Sequence, residues 1–236
     1  DSNISPQIGF SYLFSEKLKL RGSYSESFKA PLPVHQINPW GASNFDLKPE
    51  SGKSFEIGLD LFLKRLAVGI TYFSTEYSNL IDWVTIDFTT WTGQYQNISS
   101  ADIKGVELEF SYSPLKNLIL NLTHTYLDTE NQNTGEPLPR RPENATVLSF
   151  TYSGKGFSLA GQFRYVGSRI DFDYSSFPPQ IENPSFNTYD ITTTLPLNKS
   201  FSLFFKMTNL LNREYQEFFG YTAPGRRLEA GITYNN

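Results

Sequence analysis

Residues 208–234, TNLLNREYQEFFGYTAPGRRLEAGITY, decide the fold. The stretch opens polar, with Asn209, Asn212, Arg213 and Glu214, passes through Tyr215, Phe218, Phe219 and Tyr221, and turns at Pro224-Gly225. It closes on strict alternation: Leu228, Ala230, Ile232 and Tyr234 on one face, Arg227, Glu229, Gly231 and Thr233 on the other. A period of two belongs to an extended strand whose faces meet different surroundings. The segment therefore predicts a loop feeding a terminal strand with one apolar and one polar side.

The same alternation recurs upstream. Strands are expected over 6–14, 18–27, 55–63, 66–72 with an extension towards 87, 93–113, 118–126, 144–153, 157–167, 189–195 and 201–207. With the terminal strand this makes about eleven. Short turns near 15, 64, 114, 154 and 196 alternate with long connections near 28, 78, 129, 168 and 210. A soluble β-sandwich has no reason to place every long connection at one end, whereas outer-membrane barrels do so, with short periplasmic turns and long extracellular loops. Strands of about ten residues, at roughly 3.3 Å per residue and tilted by about 45°, cross a film of about 25 Å. Tyr24, Tyr72, Tyr126 and Tyr165 fall near the loop end of the apolar face, where an aromatic girdle meets water.

Composition is consistent with this. The chain has 236 residues, with 20 Phe and 14 Tyr, and its mean hydropathy is slightly negative. No apolar run approaches the roughly 18–20 residues of a spanning helix, and in a barrel the lipid-facing and lumen-facing residues cancel in any average. The absence of cysteine removes disulfide scaffolds, thiolate metal sites and Cys nucleophiles. A net charge of −4 without a basic run argues against a nucleic-acid partner. Asp1-Ser2-Asn3 lacks the basic and apolar regions of a secretory leader. Single-chain bacterial barrels have an even strand number with both ends inside. An odd number here points to the C-terminal part of a larger barrel, the alternative being a small barrel of even strand number.

Three motifs sharpen the reading. Phe28-Lys29-Ala30-Pro31 followed by Asn44-Phe45-Asp46-Leu47-Lys48-Pro49-Glu50, then Ile103-Lys104-Gly105-Val106-Glu107, then Asn209 to Tyr215 with Pro224-Gly225-Arg226, occur in that order along the chain. Together they resemble the TonB-dependent outer-membrane receptors. The resemblance implies an all-β transmembrane antiparallel barrel in the bacterial outer membrane. Residues 1–236 form the C-terminal half of a 22-stranded barrel, a strand number known for plugged transporters. On this resemblance the plug domain, the energy-coupling segment that meets TonB and the N-terminal strands are expected to lie outside these residues. It implies transport rather than catalysis, no cofactor, TonB as energy source, and lipid and lipopolysaccharide as neighbours.

Within that family, Tyr165-Val166-Gly167-Ser168-Arg169-Ile170-Asp171-Phe172-Asp173-Tyr174-Ser175-Ser176-Phe177-Pro178, with Pro139-Arg140-Arg141-Pro142 and the ending Phe219-Gly220-Tyr221, resembles the branch that takes up cobalamin (vitamin B12) or other corrinoids. Carried over residue by residue, the resemblance implies substrate contacts at Arg140 and Tyr174. The chemistry suits the roles: a guanidinium donates a planar fork to amide or phosphate oxygens, and a tyrosine offers a flat face with a hydroxyl. The plainer alternatives are a solvated Arg140-Arg141 pair, or one bound to the plug or to lipopolysaccharide, and a girdle role for Tyr174. A ferric siderophore or haem is the alternative cargo, and a passive channel the alternative function. Asp171 and Asp173 alternate like a calcium pair, but a hard cation takes about six to eight oxygens, so no metal is expected. His35 lies in a loop and His124 on the apolar face, with no Ser/His/Asp spacing around either. Glu107 and Glu109 share the polar face as wall residues, so no catalytic group is expected.

Overall fold

Alternation becomes an eleven-stranded antiparallel sheet. The computed structural model describes residues 4–234 apart from Trp40, Phe88, Trp91, Tyr174, Phe177 and Pro178, and the backbone alone at Thr85 and Ile98. The elements are β1 (Gln7–Ser15), β2 (Leu18–Lys29), α1 (Pro33–Gln36), β3 (Glu50–Leu63), β4 (Leu66–Asp87), β5 (Thr92–Leu115), β6 (Leu118–Asn131), β7 (Asn144–Gly154), β8 (Phe157–Val166), β9 (Arg169–Phe172), β10 (Gln180–Asn183), β11 (Phe186–Pro196), β12 (Phe201–Thr208), β13 (Gln216–Phe218), β14 (Tyr221–Thr222) and β15 (Arg227–Tyr234). The large sheet runs β1-β2-β3-β4-β5-β6-β7-β8-β11-β12-β15, so each strand pairs with the next one of the wall along the chain. β9 with β10 and β13 with β14 form two small hairpins outside it. No described helix is long and apolar enough to cross a membrane.

The register separates two faces. Cross-strand partners line up as Leu18, Leu61, Val68, Phe110, Leu122, Leu148, Phe163 and Tyr189, an apolar row across eight strands. The row one residue over reads Lys19, Asp60, Gly69, Glu109, Thr123, Val147, Arg164 and Thr188. The first faces lipid and leaves large side chains uncovered, with Ile70 and Leu148 both nearly half exposed. The second faces the lumen and pairs several of its charges. Lys19 Nζ lies 2.9 Å from Asp60 Oδ2, and Arg21 reaches both Asp60, at 3.3 Å, and the hydroxyl of Thr71, at 2.6 Å. Glu107 and Glu109 sit on this wall opposite Thr125 and Thr123. His124 stands in the lipid-facing row between Leu108 and Thr146, with Nδ1 2.8 Å from the Thr146 hydroxyl.

The long connections are less open than the sequence suggests. The one expected near 78 is a paired hairpin: β4 and β5 continue together to Asp87 and Thr92, with register shifts near Tyr77 and Leu80 where the ladder leaves the wall. The extension has cross-strand pairs of its own, among them Ile81 with Asn97 and Trp83 with Tyr95. Likewise 168–185 contains the β9–β10 hairpin, and the last connection contains β13–β14. The β2–β3 connection lies against the β4–β5 extension. Asn44 donates through Nδ2 to the Tyr95 carbonyl at 2.8 Å, Lys48 N–H donates to Asn97 Oδ1 at 2.8 Å, and the His35 and Tyr95 rings stand 4.7 Å apart. Lys29 and Glu50, at the two ends of the first motif, pair at 2.8 Å and close the loop.

Gly105 of the Ile-Lys-Gly-Val-Glu motif has a packing reason. A Cβ there would stand 2.5 Å from Phe73 Cζ and 2.5 Å from the Tyr126 carbonyl oxygen. One neighbour is backbone and cannot yield without breaking the β5–β6 ladder. Gly105→Ala is therefore expected to destabilise the barrel by about 1–3 kcal/mol, read as a lower denaturant midpoint of the full-length receptor in micelles. An unchanged midpoint would contradict this contact.

Candidate ligand-binding loops

Three connections meet above the wall at the end bearing the long loops: 132–143, 167–185 and 209–226. Their meeting point is the carboxylate of Asp171, which is fully buried. Arg140 Nε donates to Oδ1 at 2.8 Å, and the Phe172 N–H donates to the same oxygen at 2.9 Å. The Phe219 N–H donates to Oδ2 at 2.8 Å and Asn183 Nδ2 to Oδ2 at 3.2 Å. One carboxylate thus takes donors from all three loops. Burial pushes its pKa up, but the hydrogen bonds from Arg140 and from the Phe219 and Phe172 amides outweigh this and hold it at about 2, below the ordinary 3.8.

Arginines and aromatic rings build the surroundings. Buried Arg169 donates through Nη2 to the Gln216 carbonyl at 2.8 Å and to the Glu217 carbonyl at 2.5 Å, fastening β9 to β13. Its guanidinium and that of Arg164 stand 5.6 and 5.2 Å from the Phe186 ring, which stacks on Tyr215 at 4.2 Å. Arg164 also pairs with Glu217 at 2.8 Å. The Asn-Leu-Leu-Asn-Arg-Glu-Tyr motif folds the last loop on itself. Asn209 and Asn212 adopt left-handed backbone at φ +50° and +53°, which asparagine tolerates. The Arg213 N–H donates to Asn209 Oδ1 and the Arg226 N–H to Asn212 Oδ1, both at 2.8 Å.

Of the sequence-derived site residues, Arg140 lies at the rim of this knot, its side chain 40% exposed. Its N–H donates to the Ile170 carbonyl at 2.7 Å, and its guanidinium stands 5.4 Å from the half-exposed Phe218 ring. Tyr174, one residue beyond Asp173 in the β9–β10 connection, lies outside the described residues. Asp173 bends the chain by accepting from the Ser175 N–H at 2.9 Å. Asp171 and Asp173 therefore serve separate local purposes, and among the described residues no group of three His, Asp or Glu could hold a metal. Asp171, Asn183 and Arg169 escaped the sequence reading. The available signal was the pair Arg169 and Asp171, two apart on one face of a short alternating run, Arg-Ile-Asp-Phe, which reads as a strand once 168–185 is not taken whole as loop.

A wall with a lipid face, a charged lumen and ordered loops at one end defines an outer-membrane barrel of the receptor kind. The chain matches the TonB dependent receptor-like, beta-barrel family over residues 1–210, and it belongs to that family. Solved structures agree in fold. The ferric enterobactin receptor of Pseudomonas aeruginosa superposes with a TM-score of 0.82 at 20% identity, covering 98% of this chain and 40% of that one. The siderophore receptor PirA of Acinetobacter baumannii gives 0.81 at 18%, covering 98% and 41%, and the copper transporter OprC gives 0.81 at 19%, covering 98% and 39%. The chain thus spans about two fifths of the length of these proteins. It is the C-terminal part of such a barrel and resides in the bacterial outer membrane. The family and these relatives are transport receptors, not enzymes.

Proposed function

We propose that this chain supplies wall and extracellular loops to a receptor that takes up cobalamin or a related corrinoid with energy supplied by TonB. The complete receptor adds the remaining strands, a plug domain within the lumen and a segment that reaches TonB. Loops capture scarce ligand outside, and a pull on the plug admits it. The observation that supports the substrate most is the meeting of the Pro-Arg-Arg-Pro loop with the hairpin that carries Asp171 to Ser176: two stretches with corrinoid-receptor resemblance, separate in sequence, joined through Arg140 and Asp171. Arg140 at a half-exposed rim, with Phe218 beside it and Tyr174 following in the hairpin sequence, offers a cation and flat apolar faces to a bulky, near-neutral ligand.

A second reading, a ferric siderophore, draws on the ferric enterobactin and siderophore receptors among the structural relatives. Copper is disfavoured by chemistry: the chain has no Cys, one Met and two His, and Met207 and His124 both stand in lipid-facing rows. A passive channel would reveal itself as an ion current through the reconstituted receptor without TonB.

Binding decides between cargoes. The full-length receptor in detergent is titrated with cyanocobalamin and with a ferric catecholate siderophore. Cyanocobalamin is expected to bind tightly, and Arg140→Ala and Tyr174→Ala are each expected to weaken it about tenfold, equivalent to about 1.4 kcal/mol. Siderophore binding with no cobalamin binding would remove the substrate and both residues while leaving a TonB-dependent receptor.

A further inference from the structure

Arg140 has backbone φ +61°, a conformation that L side chains rarely adopt. Among the described residues, the other non-glycine positions at positive φ are Asn79, Asn209 and Asn212, all of the type that tolerates it. A side chain kept where glycine would be easier points to a use for that side chain. Its N–H bonds the Ile170 carbonyl at 2.7 Å, and its Nε bonds the fully buried Asp171 carboxylate at 2.8 Å. The other Asp171 oxygen holds the Phe219 N–H at 2.8 Å, next to the Phe218 ring that flanks the same guanidinium at 5.4 Å.

We infer that Asp171 is a positioning residue for ligand recognition: it fixes the guanidinium of Arg140 and, through Phe219, sets the last loop beside it, so that the ligand meets one preformed surface made of three loops. This rests on the reading of Arg140 as a ligand contact. The Nε bond to Asp171 fixes the plane of the guanidinium. Asp171 itself is sealed from solvent and acts through Arg140 and Phe219. Preorganisation of this kind strengthens binding by removing the cost of ordering loops on contact.

The test is a double-mutant cycle on the full-length receptor, using whichever of cyanocobalamin and a ferric catecholate siderophore binds, together with hydrogen exchange of the ligand-free protein over 132–143 and 209–226. Asp171→Asn keeps the shape and removes the charge. It is expected to weaken binding about tenfold, as Arg140→Ala does, and to add less than about twofold in the Arg140→Ala background, since coupled neighbours are not additive. It is also expected to raise exchange in both loops. A purely structural role would instead give losses that multiply, and that pattern, or wild-type affinity in Asp171→Asn while Arg140→Ala binds weakly, overturns the positioning role alone. A silent Arg140→Ala removes Arg140 from the site and takes the inference with it. If neither probe binds, the reading of Arg140 as a ligand contact falls and the inference falls with it.

Discussion

Leu148→Arg is expected to cost about 2–4 kcal/mol of barrel stability, the range for a cation placed on the lipid face at the midplane, whereas Ser149→Arg is expected to change it by less than about 0.5 kcal/mol. The two positions are adjacent in β7 and differ only in direction. Leu148 is flanked in register by Leu122 and Phe163, Ser149 by Asn121 and Gln162. Leu148 also lies midway along its strand, where a side chain from the lipid face has the longest reach to water on either side. An arginine there must leave its charge in hydrocarbon or distort the bilayer around it. At Ser149 the same side chain enters a polar lumen that already carries Arg164 on the adjacent β8 and Glu109 two strands away on β5. Unfolding of the full-length receptor in lipid vesicles with guanidinium, followed by tryptophan fluorescence, measures both. Equal costs at the two sites, or a greater cost at Ser149, would invert the faces and with them the account of how this sheet meets the membrane.

Asp171→Ala is expected to lower the local stability of the three joined loops by about 1–3 kcal/mol, the cost of leaving buried donors without their acceptor. The substitution removes the acceptor shared by Arg140, Asn183 and the amides of Phe172 and Phe219. Limited proteolysis at neutral pH should then cut 132–143 and 209–226 while sparing the wall, and loops as resistant as those of the unaltered receptor would contradict it. Acid should reproduce the effect. The folded pKa of Asp171, about 2, lies below its ordinary 3.8, so its charged form stabilises the folded loops. That contribution is fully present above about pH 4 and is lost as pH falls through 2. Pepsin cleavage of these loops is expected to rise between pH 4 and 2 in the unaltered receptor, with a much smaller step in Asp171→Ala. The same step in both proteins would assign the acid sensitivity to other carboxylates.

The wall was legible because a strand that separates lipid from water writes a period of two into its own residues. Leu118, Leu120 and Leu122 need no knowledge of their neighbours to be placed on one face, and the long and short connections order the strands in space. The loops carry no such period. Asp171 is 31 residues from Arg140 and 48 from Phe219, so the local run Arg-Ile-Asp-Phe marks a strand but not the partners that meet there. Its alternation with Asp173 suggests a cation pair, whereas the structure gives Asp171 protein donors and makes Asp173 the cap of a bend. The motifs tell a similar story. Gly105 reads as a family mark until Phe73 and the Tyr126 carbonyl show why no Cβ fits, and Asn209 reads as punctuation until its side chain is seen bonded across the last loop to the Arg213 carbonyl, at 2.8 Å, and to the Pro224 carbonyl, at 3.3 Å. The run towards 87 and the restart at 93 were legible, but their pairing into one hairpin past the connection placed near 78 was not, because register shifts near Tyr77 and Leu80 interrupt the ladder there.

The unbroken strand order has a kinetic meaning. In a sheet where each strand pairs with the next one along the chain, no pairing must wait for a distant segment to arrive. Loop-closure entropy is met in small increments, and low contact order of this sort favours rapid, stepwise formation. The wall can grow by adding one hairpin to an existing edge, each addition stabilised by the ladder already in place, much as repeat proteins propagate from neighbour to neighbour. Growth of that form also lets a hairpin be gained or lost in evolution without rewiring the strands on either side.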